Sequence, residues 1–171
     1  MEIIKVLESL SDNNIDFVLI GGKALLMYGS NRVTFDTDIA VKFIHIDKLV
    51  KMIYNNLNSK IVIGVNQEQY PIFAENLTEA LRFVNQNDWG FIKAIINDLE
   101  FDFLYDIPIP FMKLYTNAKT KVINNCKIKI ASLEDIKLMK EKSIKDRTDQ
   151  MKQNTDKIDL DFINKLLHEA N

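Results

Sequence analysis

The sequence is poor in the residues that build the commonest sites. It holds one cysteine, Cys126, and two histidines, His45 and His168, in 171 residues. A single cysteine excludes an intramolecular disulfide and a multi-cysteine zinc site. Two histidines so far apart in sequence exclude a histidine-rich metal centre, and each is read as a surface or boundary residue. There are three prolines and five glycines, and no low-complexity linker or internal repeat divides the chain. No apolar run reaches the roughly 18 residues that a membrane span needs, so no membrane partner is expected. The net charge of -2 provides no overall basic field that would mark nucleic acid as the default partner, although a local patch stays open. The opening segment MEIIKVLESLSDNN carries acids and helical spacing, with no basic start and no cleavage site, and reads as something other than a signal peptide. The Asn76-Leu-Thr sequon carries no weight without secretion. The expected setting is cytoplasmic.

What the chain does have is an ordinary balance for building a core, 47% hydrophobic and 27% charged residues. Ile3, Ile4, Leu7 and Leu10 repeat at helical spacing. IDFVLIGG is a short apolar run ended by glycines, which suits a buried strand. KALLMYG reads as a short helix closed by Gly29, SNRVTF as a loop, and DTDIAVKF as a strand. IDKLVKMIYNNLN follows as a helix with Asp47 as its cap. KIVIGV is the next strand, residues 66–89 are hard to place, and TEALRFVN within them reads as a helix capped by Thr78. WGFIKAIIND and LEFDFLYD read as a hairpin turning at Asn97-Asp98. FMKLYTNAKT reads as helical and KVINNCKIKIAS as a second hairpin centred on Asn124-Asn125. From Ser132 the texture is helical, with Ser132 and Asp135 forming a weak capping box and a last helix from about Ile158 to Glu169; the polar KDRTDQMKQNTDK between them reads as either a solvated helix continuation or a loop. The fold class expected is α+β, a mixed α/β sheet: a core with a mixed sheet over residues 1–130, and a C-terminal helical segment over 131–171 packed on it.

Within this pattern, IGGKALLMYGSNRVTFDTDIAV stands out. In a strand, residues two apart face the same way, so Asp36 and Asp38 place two carboxylates on one face while Ile39 and Val41 face a core. Two unit charges about 4 Å apart repel by about 4 kcal/mol at an effective dielectric near 20. A cation must offset that, or one group must hold its proton. Oxygen ligands alone suit a hard cation such as Mg²⁺, while a lone D-x-D also fits a solvated strand start. Gly21 and Gly22 end a strand and begin a helix, where backbone N–H groups can receive an anion. Lys23 sits in the first helical turn, where it opposes the helix dipole unless a phosphate is bound. Arg32, in the loop before the aspartates, could reach a phosphate or lie in solvent. A third carboxylate comes from LEFDFLYD, where Phe101 and Phe103 face one side and Glu100 and Asp102 the other. Asp102 is the candidate, because an aspartate between phenylalanines in a strand calls for a partner or a role. Asp106 lies nearer the strand end and reads as turn chemistry.

Gly21-Gly22, the helix to Gly29, and Arg32-x-Thr34-x-Asp36-x-Asp38 together resemble the signature of the DNA polymerase beta-like nucleotidyltransferases. The R-x-T-x-D-x-D form is most similar to a small bacterial branch that includes abortive-infection and toxin–antitoxin proteins. The resemblance extends to Asp102 and, more weakly, to SLEDIKLMKEKS and Asp156-Lys157-Ile158-Asp159-Leu160. It implies a polymerase beta-like core with a helical C-terminal lobe. It also implies transfer of a nucleoside monophosphate from a nucleoside triphosphate (ATP among the candidates) to a hydroxyl acceptor, with release of pyrophosphate. Asp36, Asp38 and Asp102 would be the catalytic and metal-holding residues for two Mg²⁺ ions. Gly21, Gly22, Lys23 and Arg32 would bind the nucleotide. Lys23 departs from the pattern, which more often has a small or hydroxyl residue there. The acceptor could be a protein, a tRNA end or a small molecule. The alternative is a non-catalytic nucleotide-binding protein, or one partner of a toxin–antitoxin pair, that retains the fold.

Overall fold

The computed structural model describes residues 2–123 and 126–169. In chain order its elements are α1 (Glu2–Asp12), β1 (Phe17–Leu19), α2 (Gly21–Met27), β2 (Thr37–Val41), α3 (Ile46–Asn55), β3 (Lys60–Val65), β4 (Pro71–Phe73), α4 (Leu77–Gln86), β5 (Phe91–Ile96), β6 (Leu99–Leu104), α5 (Phe111–Asn117), β7 (Lys119–Ile123), β8 (Cys126–Ile130), α6 (Leu133–Asp146) and α7 (Gln150–Glu169). The eight strands form one mixed sheet in the order β4-β3-β5-β6-β2-β1-β8-β7. The contacts β1–β8 and β2–β6 are parallel, and the other neighbours are antiparallel. This is the mixed α/β class that the alternation of strand and helix patterns implies.

The helices form because their apolar residues fall on one face, and the sheet gives that face somewhere to go. Ile4, Leu7 and Leu10 of α1 are buried, as are Leu49, Val50 and Ile53 of α3. Helices α1, α3 and α4 pack side by side, with α1 against β8 and both α3 and α4 against β3. Helices α6 and α7 pack on each other and reach the site from the C-terminal end of the chain.

The caps follow local chemistry more closely than the sequence pattern alone suggests. Helix α4 is capped by Asn76, whose side chain accepts from Glu79 N at 3.0 Å, rather than by Thr78. Glu79 in turn accepts from Glu75 N at 2.7 Å. Helix α3 starts after His45 with no side-chain cap, and Asp47 lies in its first turn. Ser132 does cap α6, accepting from Asp135 N at 3.1 Å, but the Asp135 carboxylate takes hydrogen bonds from Asn117 rather than closing a box. Strand β4 is too short to leave a pattern in sequence. Helix α7 begins eight residues earlier than expected, on the polar stretch after Asp149. The second turn, at Asn124-Asn125, lies outside the described residues, although β7 and β8 on either side pair as a hairpin.

The β5–β6 hairpin turns where expected. Asn97 and Asp98 both take positive φ, at 49° and 62°, as a two-residue type I′ turn requires. Glycine is favoured at such a position. Asp98→Gly is therefore expected to raise the thermal midpoint by a few degrees, whereas Asp98→Val, β-branched at positive φ, lowers it. Thermal melts of the two variants check this.

Candidate active site

The site is built on the parallel contact between β2 and β6. In its register Asp38 lies opposite Asp102, with Thr37 opposite Phe101 and Ile39 opposite Phe103. Residues level with one another on neighbouring strands share a face, so both carboxylates stand on one side of the sheet. Phe101, Phe103 and Ile39 fill the core on the other. In the next contact Lys93 of β5 lies opposite Asp102. One row across three strands therefore reads Lys93, Asp102, Asp38.

Asp36 lies just before β2 and is exposed, with Oδ1 accepting from Thr34 Oγ1 at 2.8 Å. Burial first, then the neighbouring charges of Asp36 and Asp102, push the Asp38 carboxyl up from 3.8 to about 7, against the milder opposing pull of Lys140 and Arg147. Asp102 is also raised, chiefly by burial, with Lys93 opposing. Burial works against the charge on Lys93, but Glu100 and Asp102 outweigh it and raise its pKa. Lys93 Nζ lies 3.0 Å from Glu100 Oε2 and 3.4 Å from Asp102 Oδ1.

The two glycines each accommodate a specific neighbour. Gly21 has φ +62°, and a Cβ there would lie 2.0 Å from Asp38 Oδ2. A Cβ on Gly22 would lie 2.1 Å from a terminal guanidinium nitrogen of Arg32 and 2.8 Å from Thr34 Oγ1. The bend thus brings the start of α2 against the carboxylate and the loop against α2. That start has no side-chain cap and no acid in its first turn. Lys23 turns its amine to Thr34 O at 2.9 Å. Arg32 Nε pairs with Asp159 of α7 at 3.0 Å. As placed, both cations brace the loop.

A cleft of about 370 Å³ opens beside Asp38 and Gly21. Leu104, Ile107, Ile136 and Met139 give it apolar wall; Lys140, Ser143 and Arg147 of the C-terminal region give it polar wall. These last residues belong to a charge cluster that the sequence pattern does not assign. Asp156 accepts from Lys140 at 2.6 Å, Ser143 at 3.0 Å and Arg147 at 3.2 Å, and Lys140 also meets Asp159 at 2.7 Å. Both aspartates are buried, at 3% and 1% exposure. The signal in sequence is the pair of acids three residues apart in a helix, Asp156 and Asp159, which share one face.

A divalent cation is tested here on the donors themselves. Asp102 Oδ1 is buried with a long contact to the Lys93 ammonium, 3.4 Å, in place of a close hydrogen bond, and burial with the neighbouring carboxylates pushes the Asp38 carboxyl up to about 7. Both observations, with an all-oxygen donor set, fit a hard cation. The side chains as placed do not close around one: among the described residues, no group of three or more His, Cys, Asp or Glu is gathered to hold a metal ion. Asp36 is turned to Thr34 and Asp102 to Lys93.

No protein-family model and no curated relative matches the sequence. Solved structures do. An antigenic nucleotidyltransferase-like protein from Paracoccidioides brasiliensis matches at 24% identity and TM-score 0.56, over 94% of this chain and 72% of that one. The ANT(2″)-Ia protein in complex with adenylyl-2″-tobramycin matches at 14% identity and TM-score 0.61, over 96% of this chain and 87% of that one. The solution structure of the antibiotic-resistance factor ANT(2″)-Ia matches at 12% identity and TM-score 0.52, over 98% and 90%. The chain therefore shares the fold of these nucleotidyltransferase structures. Among the described residues, no helix is long and apolar enough to cross a membrane.

Two outcomes follow from the geometry. Below pH 3.8 Asp38 is protonated whether the chain is folded or not. Between there and about pH 7 the unfolded chain releases this proton while the folded chain keeps it, so this residue's contribution to stability falls as pH rises and levels off above. In EDTA, Asp38→Asn is expected to match wild type near pH 4 and to be more stable by a few kcal/mol near pH 8, since each tenfold change in proton affinity between the folded and unfolded chain is worth about 1.4 kcal/mol. Denaturant titrations at the two values read it. Gly21→Ala combines a left-handed backbone with the clash on Asp38 and is expected to cost about 2–4 kcal/mol, read as a lower thermal midpoint.

Proposed function

We propose that the protein is a Mg²⁺-dependent nucleotidyltransferase that moves a nucleoside monophosphate from a nucleoside triphosphate to a hydroxyl acceptor. The observation that carries this reading is the register that sets Asp38 beside Asp102, with Asp36 two residues away and a glycine bend against Asp38. The shared fold with an enzyme captured with an adenylylated antibiotic supports it.

Asp36, Asp38 and Asp102 would hold the metal, and two ions are expected. Bound there, Mg²⁺ supplies charge neutralisation of the triphosphate and a lowered pKa for the attacking hydroxyl. The start of α2 at Gly21-Gly22 would receive the β- and γ-phosphates on backbone N–H groups that no side chain caps. The acceptor oxygen forms a bond to the α-phosphorus as the bond to the β-phosphate oxygen breaks, and pyrophosphate leaves. Asp102, its pKa raised by burial, takes the acceptor proton. For it to do so, its carboxylate must turn away from Lys93. The rest is positioning in a partly apolar cleft. Lys23 and Arg32 serve the nucleotide through the loop they brace.

The neighbour's adenylylated antibiotic adds small hydroxylated molecules to an acceptor panel that also holds proteins and tRNA. The toxin–antitoxin role has no structural observation in its favour and remains a question for that panel.

The test is incubation with each α-labelled nucleoside triphosphate, Mg²⁺ and the acceptor panel. Label transfer with pyrophosphate release is expected, and EDTA abolishes it. Asp38→Asn and Asp102→Asn are each expected to lower the rate by at least about 100-fold, the scale of losing a group that acts on the reacting charge, while circular dichroism stays native. Undiminished transfer by Asp38→Asn would remove the carboxylate assignment.

A further inference from the structure

We propose that Asp159, acting through Arg32, is a positioning residue that holds the Ser30–Asp36 loop so that Asp36 stands in register with Asp38. The inference rests on the transferase reading for its kinetic consequence and on the contacts themselves for its geometry. The chain of contacts is short. Asp159 Oδ1 meets Arg32 Nε at 3.0 Å. A terminal nitrogen of that guanidinium and Thr34 Oγ1 both crowd Gly22, 2.1 and 2.8 Å from where its Cβ would be. Thr34 Oγ1 donates to Asp36 Oδ1 at 2.8 Å, and Thr34 O accepts from Lys23 at 2.9 Å. A helix more than a hundred residues downstream therefore sets where a carboxylate of the site can stand.

The anchor is buried where the loop is exposed. Asp159 is 1% exposed and its second oxygen is held by Lys140 at 2.7 Å. Lys140 is held again by Asp156 at 2.6 Å. By contrast Val33 and Phe35 of the loop are 73% and 86% exposed. The loop thus has almost no apolar burial to fix it. Its fixed points are Arg32, Thr34 and the packing against Gly22. A guanidinium suits this task because its Nε can pair with a carboxylate while a terminal nitrogen reaches the glycine.

A buried ion pair can be merely structural, and removing one partner strands the other charge. The informative variant therefore removes both: Arg32→Met with Asp159→Leu, leaving Lys140 paired to Asp156. This double variant is expected to fold and melt cooperatively. Its kcat is expected to fall by about 100-fold, as a displaced catalytic group does, with a smaller rise in KM for the nucleotide because Arg32 also braces the loop that serves it. Mn²⁺ binding, followed by calorimetry without nucleotide, is expected to weaken by about 10-fold, as loss of an orienting partner does. Amide exchange over residues 30–36 is expected to accelerate while β2 and β6 exchange as before. Arg32→Lys, which keeps the charge but removes the terminal nitrogen from against Gly22, should show a smaller fall in kcat and a smaller change in loop exchange. A folded double variant with wild-type kcat, Mn²⁺ affinity and loop exchange overturns the proposal. If wild type transfers no nucleotide, the transferase reading fails, while Mn²⁺ affinity and loop exchange still decide the positioning role.

Discussion

The pairing of β2 with β6 is the constraint on which the site depends. Because side chains alternate along a strand, a slip of one residue would send the aspartates into the core and the phenylalanines into the cleft. Phe101, Phe103 and Ile39 are fully buried on one face, so the apolar side fixes the register and the polar side inherits it. The two carboxylates share a face because the core allows no slip by one residue, and the observed register sets them level. Their mutual repulsion is small beside the burial that enforces it: several large side chains at about 1.5–3 kcal/mol each, against about 4 kcal/mol for a close pair at intermediate dielectric.

The cations around the site are already committed. Lys93 serves Glu100 and Asp102. Lys140 serves Asp156 and Asp159, Arg147 serves Asp156, and Arg32 serves Asp159. Lys23 serves a backbone carbonyl. Among the described residues no ion pair joins any of them to Asp36 or Asp38, and only Lys140 and Arg147 lower the Asp38 pKa from across the cleft. Fold and charge together leave an excess of negative potential at one end of a half-apolar cleft. A hard cation or a cationic group relieves that excess.

The sequence makes the architecture legible wherever a local rule suffices. The Asn97-Asp98 turn, the Ser132 cap and the buried stripes of α1 and α3 are all decided by residues within a few positions of one another. Asn76 is hidden as a cap because Thr78, two residues on, is also a capping residue; the chain turns so that the Asn76 side chain receives Glu79 N. Helix α7 reads too short in sequence because its first turns are polar, and a helix leaning on an ion cluster need not show an apolar stripe. The row of carboxylates is legible as a period of two in DTDIAV and LEFDFL. Its alignment across strands is not, since sequence alone does not print a register. Lys23 and Arg32 show the same limit. Their acceptors in the structure, Thr34 O and Asp159, are ones that no spacing rule connects to a cation near a glycine bend.

The double glycine shows how two demands can meet in one bend. Read as sequence, it allows close approach of another backbone or of a ligand, or simply a tight turn. In the structure the space of each missing Cβ is filled by the protein itself, a carboxylate against Gly21 and a guanidinium against Gly22. The side-chain room is therefore spent on bringing Asp38 and the Arg32 loop close to the start of α2. The backbone amides of that start are a separate resource, left without a side-chain cap or an acid. An anion drawn there by the amides would lie beside Asp38, where its own charge would add to the excess already present. On the proposed transferase reading, anion and carboxylate would share the bend with a cation between them, and the same glycines crowd the acid against the helix start where that cation would act.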